Sequence, residues 1–225
     1  MKQDRRSIDQ AWNTEYGDAQ FLKQDSKPQG IVRTWLKEIR KNYNWENLSI
    51  LDIGCGDGRT SIFCAERGAT VYGLEISSKA LQQAKQSNLP ITWIHQSAAD
   101  PLPIPDESID IVFDVMGTIT LSEVERAAYL KEIHRVLKKG GLMYTRTLCI
   151  EGDGYIKSQI QNNPGKEVNT YIHETLRIQE TAFTTDTFKQ TYKDFKILDL
   201  TKQTHFQKSL KGLVKRNYFI GKLEK

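Results

Sequence analysis

Nowhere in the 225 residues does an apolar run approach the roughly 18 that a membrane span requires. The opening residues, MKQDRRSIDQ, carry acids where a signal peptide would carry its apolar centre, so the expectation is a cytoplasmic protein. Cysteine is scarce: Cys55, Cys64 and Cys149 are odd in number and form no C-x-x-C pair, which leaves neither a disulfide framework nor a zinc knuckle, and no metal site is expected. Neither sign of charge dominates, because 32 Lys and Arg against 28 Asp and Glu leave +4, and composition therefore names no partner. Fifteen glycines and six prolines are too few for a collagen-like or disordered chain. At roughly 150 residues per domain, the length suits one decorated domain spanning 1–225.

What is present is an alternation. From Leu48 onward, short apolar runs rich in β-branched and aromatic residues (48–53, 70–76, 91–96, 109–116 and 142–150) predict buried parallel strands. Segments 59–67, 78–87 and 121–138 between them predict helices, the last ending in the basic turn Lys138-Lys139 before Gly140-Gly141. The pattern implies an α/β layered sheet, with 48–148 as its core. Ahead of it, 1–47 is expected to form a helical cap, in which 28–44 carries a stripe of Ile31, Trp35, Ile39 and Tyr43. Residues 150–183 are expected to be an insertion or lid, and 184–225 a helix followed by two strands, 195–201 and 213–223. The last alternates charged with apolar residues, which predicts an edge or antiparallel strand with one wet face.

The chemistry concentrates where the first strand runs into a helix through Asp52-Ile53-Gly54-Cys55-Gly56-Asp57-Gly58. Glycine lets the backbone take positive φ and lets a ligand lie against it, while the helix start supplies unpaired N–H donors. Glu75 ends the second strand 21 residues after Gly54, where an acid can accept bonds from both hydroxyls of a nucleoside ribose. Dinucleotide folds use G-x-G-x-x-G, and the third glycine's place is here Arg59. A methionine-type tail carries no pyrophosphate to cradle, and its amino group can use an acid such as Asp52.

At this point the chain resembles the class I S-adenosylmethionine-dependent methyltransferases. The resemblance rests on DIGCGDGRT (52–60), the acid in VYGLEIS (71–77), LPIPDESIDIVF (102–113) and EIHRVLKKGGLMYTRT (132–147), in family order. It implies a three-layer Rossmann-like fold: a seven-stranded, mostly parallel sheet with the last strand antiparallel and helices on both faces. It also implies S-adenosylmethionine as cofactor, with Asp52 and the loop of Gly54, Cys55, Gly56 and Gly58 near the methionine part. Glu75 would then hold the ribose and Ile76 would lie beside the adenine. An acid four residues before Leu102-Pro103 is frequent in the family; that place is Ala98, so the adenine amino group falls to Asp100 or to the backbone of Ala98 and Ala99.

For catalysis the candidates are Asp114, at the carboxyl end of the fourth strand, and His173 in the insertion; Asp114 and Tyr16 are also expected to contact the cofactor, with Tyr16 and Trp12 as an aromatic lid. The fourth strand ends Asp114-Val115-Met116-Gly117, unlike the sequence with which base-methylating enzymes hold a flipped adenine. These features favour transfer to an oxygen, nitrogen or sulfur of a small molecule by a monomer or homodimer. Two alternatives stay open. A tRNA or rRNA methyltransferase would use the tail 201–225, which holds seven Lys or Arg and one acid. An NAD-dependent oxidoreductase would account for the glycine turn and Glu75 but not for Arg59.

Overall fold

The computed structural model describes residues 5–18, 27–209 and 212–225. Parts of the expected cap (1–4 and 19–26) and of the basic tail (210 and 211) lie outside the described residues. The first apolar runs form β1 (Ser49–Ile53), β2 (Thr70–Glu75), β3 (Ile91–His95) and β4 (Ile109–Val115), all parallel. Strand β5 (Leu137–Cys149) continues them in the order β3-β2-β1-β4-β5. The crossovers are α3 (Arg59–Ala65), α4 (Ser78–Ala84) and α5 (Glu123–Val136). Helix α5 starts at a capping box, in which the Ser122 hydroxyl accepts from the Glu125 N–H and the Glu125 carboxylate from the Ser122 N–H.

Helix α5 stops before the basic turn expected to end it. Leu137, fully buried and paired with Ile109, is drawn into the sheet, so Lys138 to Gly141 belong to β5. The register shifts between Ile109 and Ile111, where Gly140 takes φ 73 and donates its N–H to the Lys225 carbonyl at 3.1 Å.

Beyond β5, β8 (Lys196–Ser209) and β9 (Gly212–Glu224) form a long antiparallel hairpin, and β9 pairs antiparallel with Leu142 to Leu148 of β5. The last strand is therefore antiparallel but interior; β8 lies outside it, and Arg216 to Gly221 are buried on both faces. The wet edge expected of 213–223 belongs to β8 and to the start of β9. Seven strands thus form the expected sheet, and a hairpin of β6 (Thr170–Ile172) and β7 (Gln179–Phe183) adds two more at the end of β5, through Leu148↔Ala182 and Cys149↔Phe183. This hairpin, with α6 (Gly154–Asn162), is the structure of the expected insertion.

Helices cover both faces. Leu74, Val112, Ile133 and Phe188 of α7 (Thr185–Thr191) pack in one apolar layer, and Trp35, Ile39, Ile50, Phe113 and Tyr144 in the other. In α2 (Gly30–Asn42) the buried stripe is Val32, Trp35, Leu36 and Ile39, turned from the expected one so that Tyr43 is exposed. Trp35 governs this, stacked on Phe113 at a centroid distance of 6.2 Å and tilted against Tyr144 at 5.3 Å.

Candidate functional site

Parallel strands with crossover helices leave a crevice at their carboxyl ends, and the side chains of interest meet there. The cavity is walled by Asp52 to Asp57 on the β1 turn, Glu75 and Ile76 after β2, and Gln96 to Ala98 after β3. Val115 to Gly117 after β4 close the far side.

Two buried acids face one another across the glycine turn. Glu75 accepts the Gly56 N–H at 3.0 Å and the Ser77 N–H at 2.8 Å, one on each oxygen. Burial pushes its carboxyl above the ordinary range, against the pull of those backbone bonds. Asp52 accepts the Ser61 hydroxyl at 2.7 Å, and burial, opposed by Ser61 and reinforced by Glu75 and Asp114, pushes it up to about 7. Among the described residues neither acid has a salt-bridge partner. Arg59, which also lines the cavity, places its Nε 2.8 Å from the Asp57 carboxylate.

The roof is α1 (Arg5–Gly17), which presents Ile8, Trp12 and Tyr16 to the cavity. It is pinned by Asn13, whose side-chain oxygen accepts the Ser77 hydroxyl at 2.8 Å and the Lys79 N–H at 3.1 Å. Tyr16 lies against the turn so closely that a Cβ on Gly56 would strike its hydroxyl, and burial raises its phenol beyond the ordinary value. Leu176 and Ile178, from the turn between β6 and β7, pack with Ile8, Trp12 and Ile76. The insertion thus supports the lid from outside.

Several expected residues stand elsewhere. Asp114 does not line the cavity. Fully buried, it accepts the Gly117 N–H at 3.1 Å, the Thr118 hydroxyl at 2.6 Å and the Tyr129 hydroxyl at 3.1 Å, which commits its lone pairs to holding the loop after β4. Burial pushes it up to about 6. His173 also stays off the cavity wall: its Nδ1 accepts the Thr175 and Leu176 N–H groups at 3.3 and 3.2 Å and shapes the supporting turn. Gly58 lies off the cavity wall; its N–H donates to Cys55 O at 3.0 Å, and a Cβ there would meet Trp93 and Ala84. Ala99 and Asp100 also stay off the wall, because the turn closed by the Asp100 N–H on Ser97 O leaves Gln96, Ser97 and Ala98 facing in.

Sequence reasoning missed Gln29, Val32, Gln96, Ser97, Met116 and Gly117. Met116, expected within a strand, has φ 65, a left-handed conformation that costs about 1–2 kcal/mol in an L-residue and turns the chain across the cavity.

The raised acids give a pH dependence. Asp52 and Asp114 have ordinary values of 3.8 and folded values of about 7 and about 6, so between these limits the folded state holds more protons than the unfolded one. Stability of the ligand-free chain is therefore expected to fall as pH rises from about 4 to about 7, by roughly 1.4 kcal/mol per pH unit for each fully affected carboxyl. Chemical denaturation at four pH values checks this against Asp52→Asn, whose amide oxygen can still accept from Ser61. An equal slope in the variant would remove Asp52 as a source.

The chain is similar in sequence and fold to known methyltransferases. Residues 50–141 match the methyltransferase-domain family. An uncharacterised methyltransferase of Synechocystis is 36% identical over 103 residues, covering 43% of this chain and 48% of the relative. The chain spans about half the length or less of the first curated relatives it matches. Among solved structures, a SAM-dependent methyltransferase from Anabaena variabilis superposes with a TM-score of 0.72 at 19% identity, covering 100% of this chain and 97% of that one. The 1,6-didemethyltoxoflavin-N1-methyltransferase of Burkholderia thailandensis, bound to its substrate and S-adenosylhomocysteine, gives 0.70 at 15% identity, covering 98% and 88%.

Proposed function

We propose that this chain is a class I S-adenosylmethionine-dependent methyltransferase, a reading that its fold and the domain match over 50–141 support, and that it methylates an oxygen, nitrogen or sulfur of a small molecule. The observation that carries the reading is the pair of desolvated acids at the glycine turn, Asp52 and Glu75, neither of which is ion-paired among the described residues. Buried carboxylates without a cation repel a pyrophosphate and suit an ammonium and a neutral sugar. Arg59, the one cation on the wall among the described residues, is committed to Asp57, which further disfavours a dinucleotide.

When bound, S-adenosylmethionine supplies an electrophilic methyl group: the bond from the acceptor atom to carbon forms as the sulfur–carbon bond breaks, leaving a neutral thioether. Asp52 holds the amino group of the methionine part, and the turn of Gly54, Cys55 and Gly56 lies along it. Glu75 takes the ribose hydroxyls with the lone pairs left after Gly56 and Ser77, while Ile76, Ser97 and Ala98 flank the adenine. Tyr16 and Trp12 exclude water from above. Proximity and orientation can supply about 7–11 kcal/mol to such a displacement, and Asp114 serves it by fixing the loop of Met116 and Gly117. An acceptor that arrives ionised needs no base.

The basic tail adds little to an RNA reading. Of its seven cations, Lys202, Arg216, Lys222 and Lys225 pair with Glu151, Asp153, Glu38 and Glu107 of the same chain.

S-adenosylhomocysteine at about one hundred times its Kd is expected to add about 2.7 kcal/mol, or roughly 5–10 °C in Tm for a chain of this size, whereas NAD adds nothing. Differential scanning fluorimetry decides it. A shift with NAD and none with the sulfur nucleoside would overturn the reading.

A further inference from the structure

The sheet sets out the cavity in sequence: Glu75 ends β2, Asp52 lies on β1, Val115 ends β4, and the next strand across, β5, carries Arg146. Arg146 is in register with Val115, and its carbonyl accepts the Met116 N–H at 3.0 Å, which fixes it directly behind two residues of the cavity wall. Its side chain turns toward α2, where Nη1 donates to Gln29 Oε1 at 3.1 Å; Gln29 also lines the cavity. The guanidinium carbon lies 3.7 Å from the centre of the Tyr218 ring.

Every partner of this cation is thus neutral. Among the described residues no salt bridge reaches Arg146, and its Nε is shielded from solvent without a hydrogen-bond partner. Burial lowers its pKa, and neighbouring Arg216 lowers it further, although Arg216 itself has Asp153 at 3.4 Å. A half-buried guanidinium held by an amide and a ring, with one donor unused, lacks the counter-charge that such groups normally find inside proteins.

Resting on the methyl-transfer reading above, we propose that Arg146 recognises the methyl acceptor, and that the acceptor is a small molecule with an apolar body and a carboxylate. Arg146 meets the cavity through Gln29, so the carboxylate takes its fork by displacing the Gln29 amide oxygen from Nη1, and the fork matches it geometrically with two parallel N–H donors. The apolar body lies along Val32, Val115 and Met116, on the side of the cavity away from Glu75. Arg146 is then a specificity residue that orients the acceptor and takes no part in bond making.

The test uses benzoate and its neutral isostere benzamide as probes, titrated calorimetrically into the full chain with and without S-adenosylhomocysteine. Wild type is expected to bind benzoate at least about 10-fold tighter than benzamide, a charge-assisted bond being lost with the amide. Arg146→Met is expected to equalise the two, and Arg146→Lys to keep part of the preference, because it retains the charge without the fork. Affinity for S-adenosylhomocysteine should stay within about twofold in both variants, a readout that a merely structural role for Arg146 would disturb. Circular dichroism checks the fold, and if Arg146→Met does not fold, Arg146→Lys carries the comparison. Equal binding of the two probes, binding of neither, or an undiminished preference in Arg146→Met would overturn the proposal. Failure to bind S-adenosylhomocysteine, with the benzoate preference intact, would instead sink the methyl-transfer reading and leave Arg146 as an anion site.

Discussion

Glu75→Ala is expected to weaken S-adenosylmethionine binding by roughly 10- to 150-fold, since hydrogen bonds to an ionised group contribute about 1.5–3 kcal/mol. An ionised carboxylate offers about four acceptor sites, of which the Gly56 and Ser77 N–H groups take two, so both oxygens keep capacity for a ribose hydroxyl. The same two bonds show that the acid also braces the glycine turn. A loss of affinity in the alanine variant therefore contains a contribution from ribose and a contribution from the turn. Glu75→Gln separates them: it keeps one accepting oxygen for the backbone but replaces the other by a donor that repels the Ser77 or Gly56 N–H. Glu75→Asp keeps the charge on a shorter arm and should lose least. Titration calorimetry with circular dichroism on the four proteins checks the order wild type, Asp, Gln, Ala in decreasing affinity. Unchanged affinity in a folded Glu75→Ala protein would mean that the cofactor lies elsewhere.

That order depends on a bond pattern that the sequence does not contain. The place of Glu75 was legible, because a charged side chain at the end of a continuous apolar strand has no packing role there, and its spacing of 21 from Gly54 sets it across the crevice from the glycine turn. Its grip on Gly56 was not, because it joins residues 19 apart through a turn whose dihedrals no periodicity encodes. The same limit applies to Asp114. Its place at a strand end was legible, but not the donors on its oxygens, since Thr118, Tyr129 and Gly117 come from a loop and from α5. The parallel core was legible from local composition, since strands buried on both faces are apolar throughout. The position of β9 was not: its start alternates like an edge strand, and only pairing with β5 on one side and β8 on the other makes it interior. Asn13, which pins the lid, is an ordinary helix residue until it meets Ser77 and Lys79.

Gly54→Ala is expected to destabilise the fold by about 2–5 kcal/mol, the largest single-residue effect at this site, from two costs that add. Gly54 has φ +62, a region that costs an L-residue about 1–2 kcal/mol. A Cβ there would also lie 2.8 Å from the Gly117 Cα, and overpacking against backbone typically costs about 1–3 kcal/mol. The turn after β1 and the turn after β4 thus touch backbone to backbone, and a Cβ on Gly117 would in turn lie 2.7 Å from Ile53 O. This contact sets the width of the crevice between Asp52 and Met116, so the variant should lose S-adenosylhomocysteine binding along with stability. Gly140→Ala is the control: its φ of +73 carries the same conformational cost, but nothing lies within 4 Å of the added Cβ and the site is remote from the cavity. Urea denaturation should therefore show a loss of only about 1–2 kcal/mol for Gly140→Ala, with ligand affinity intact. The difference between the two variants measures the collision alone. Equal losses would mean that the two turns have room to separate, and the crevice would then be held open by Asp114 and its hydrogen bonds instead of by the meeting of two glycines.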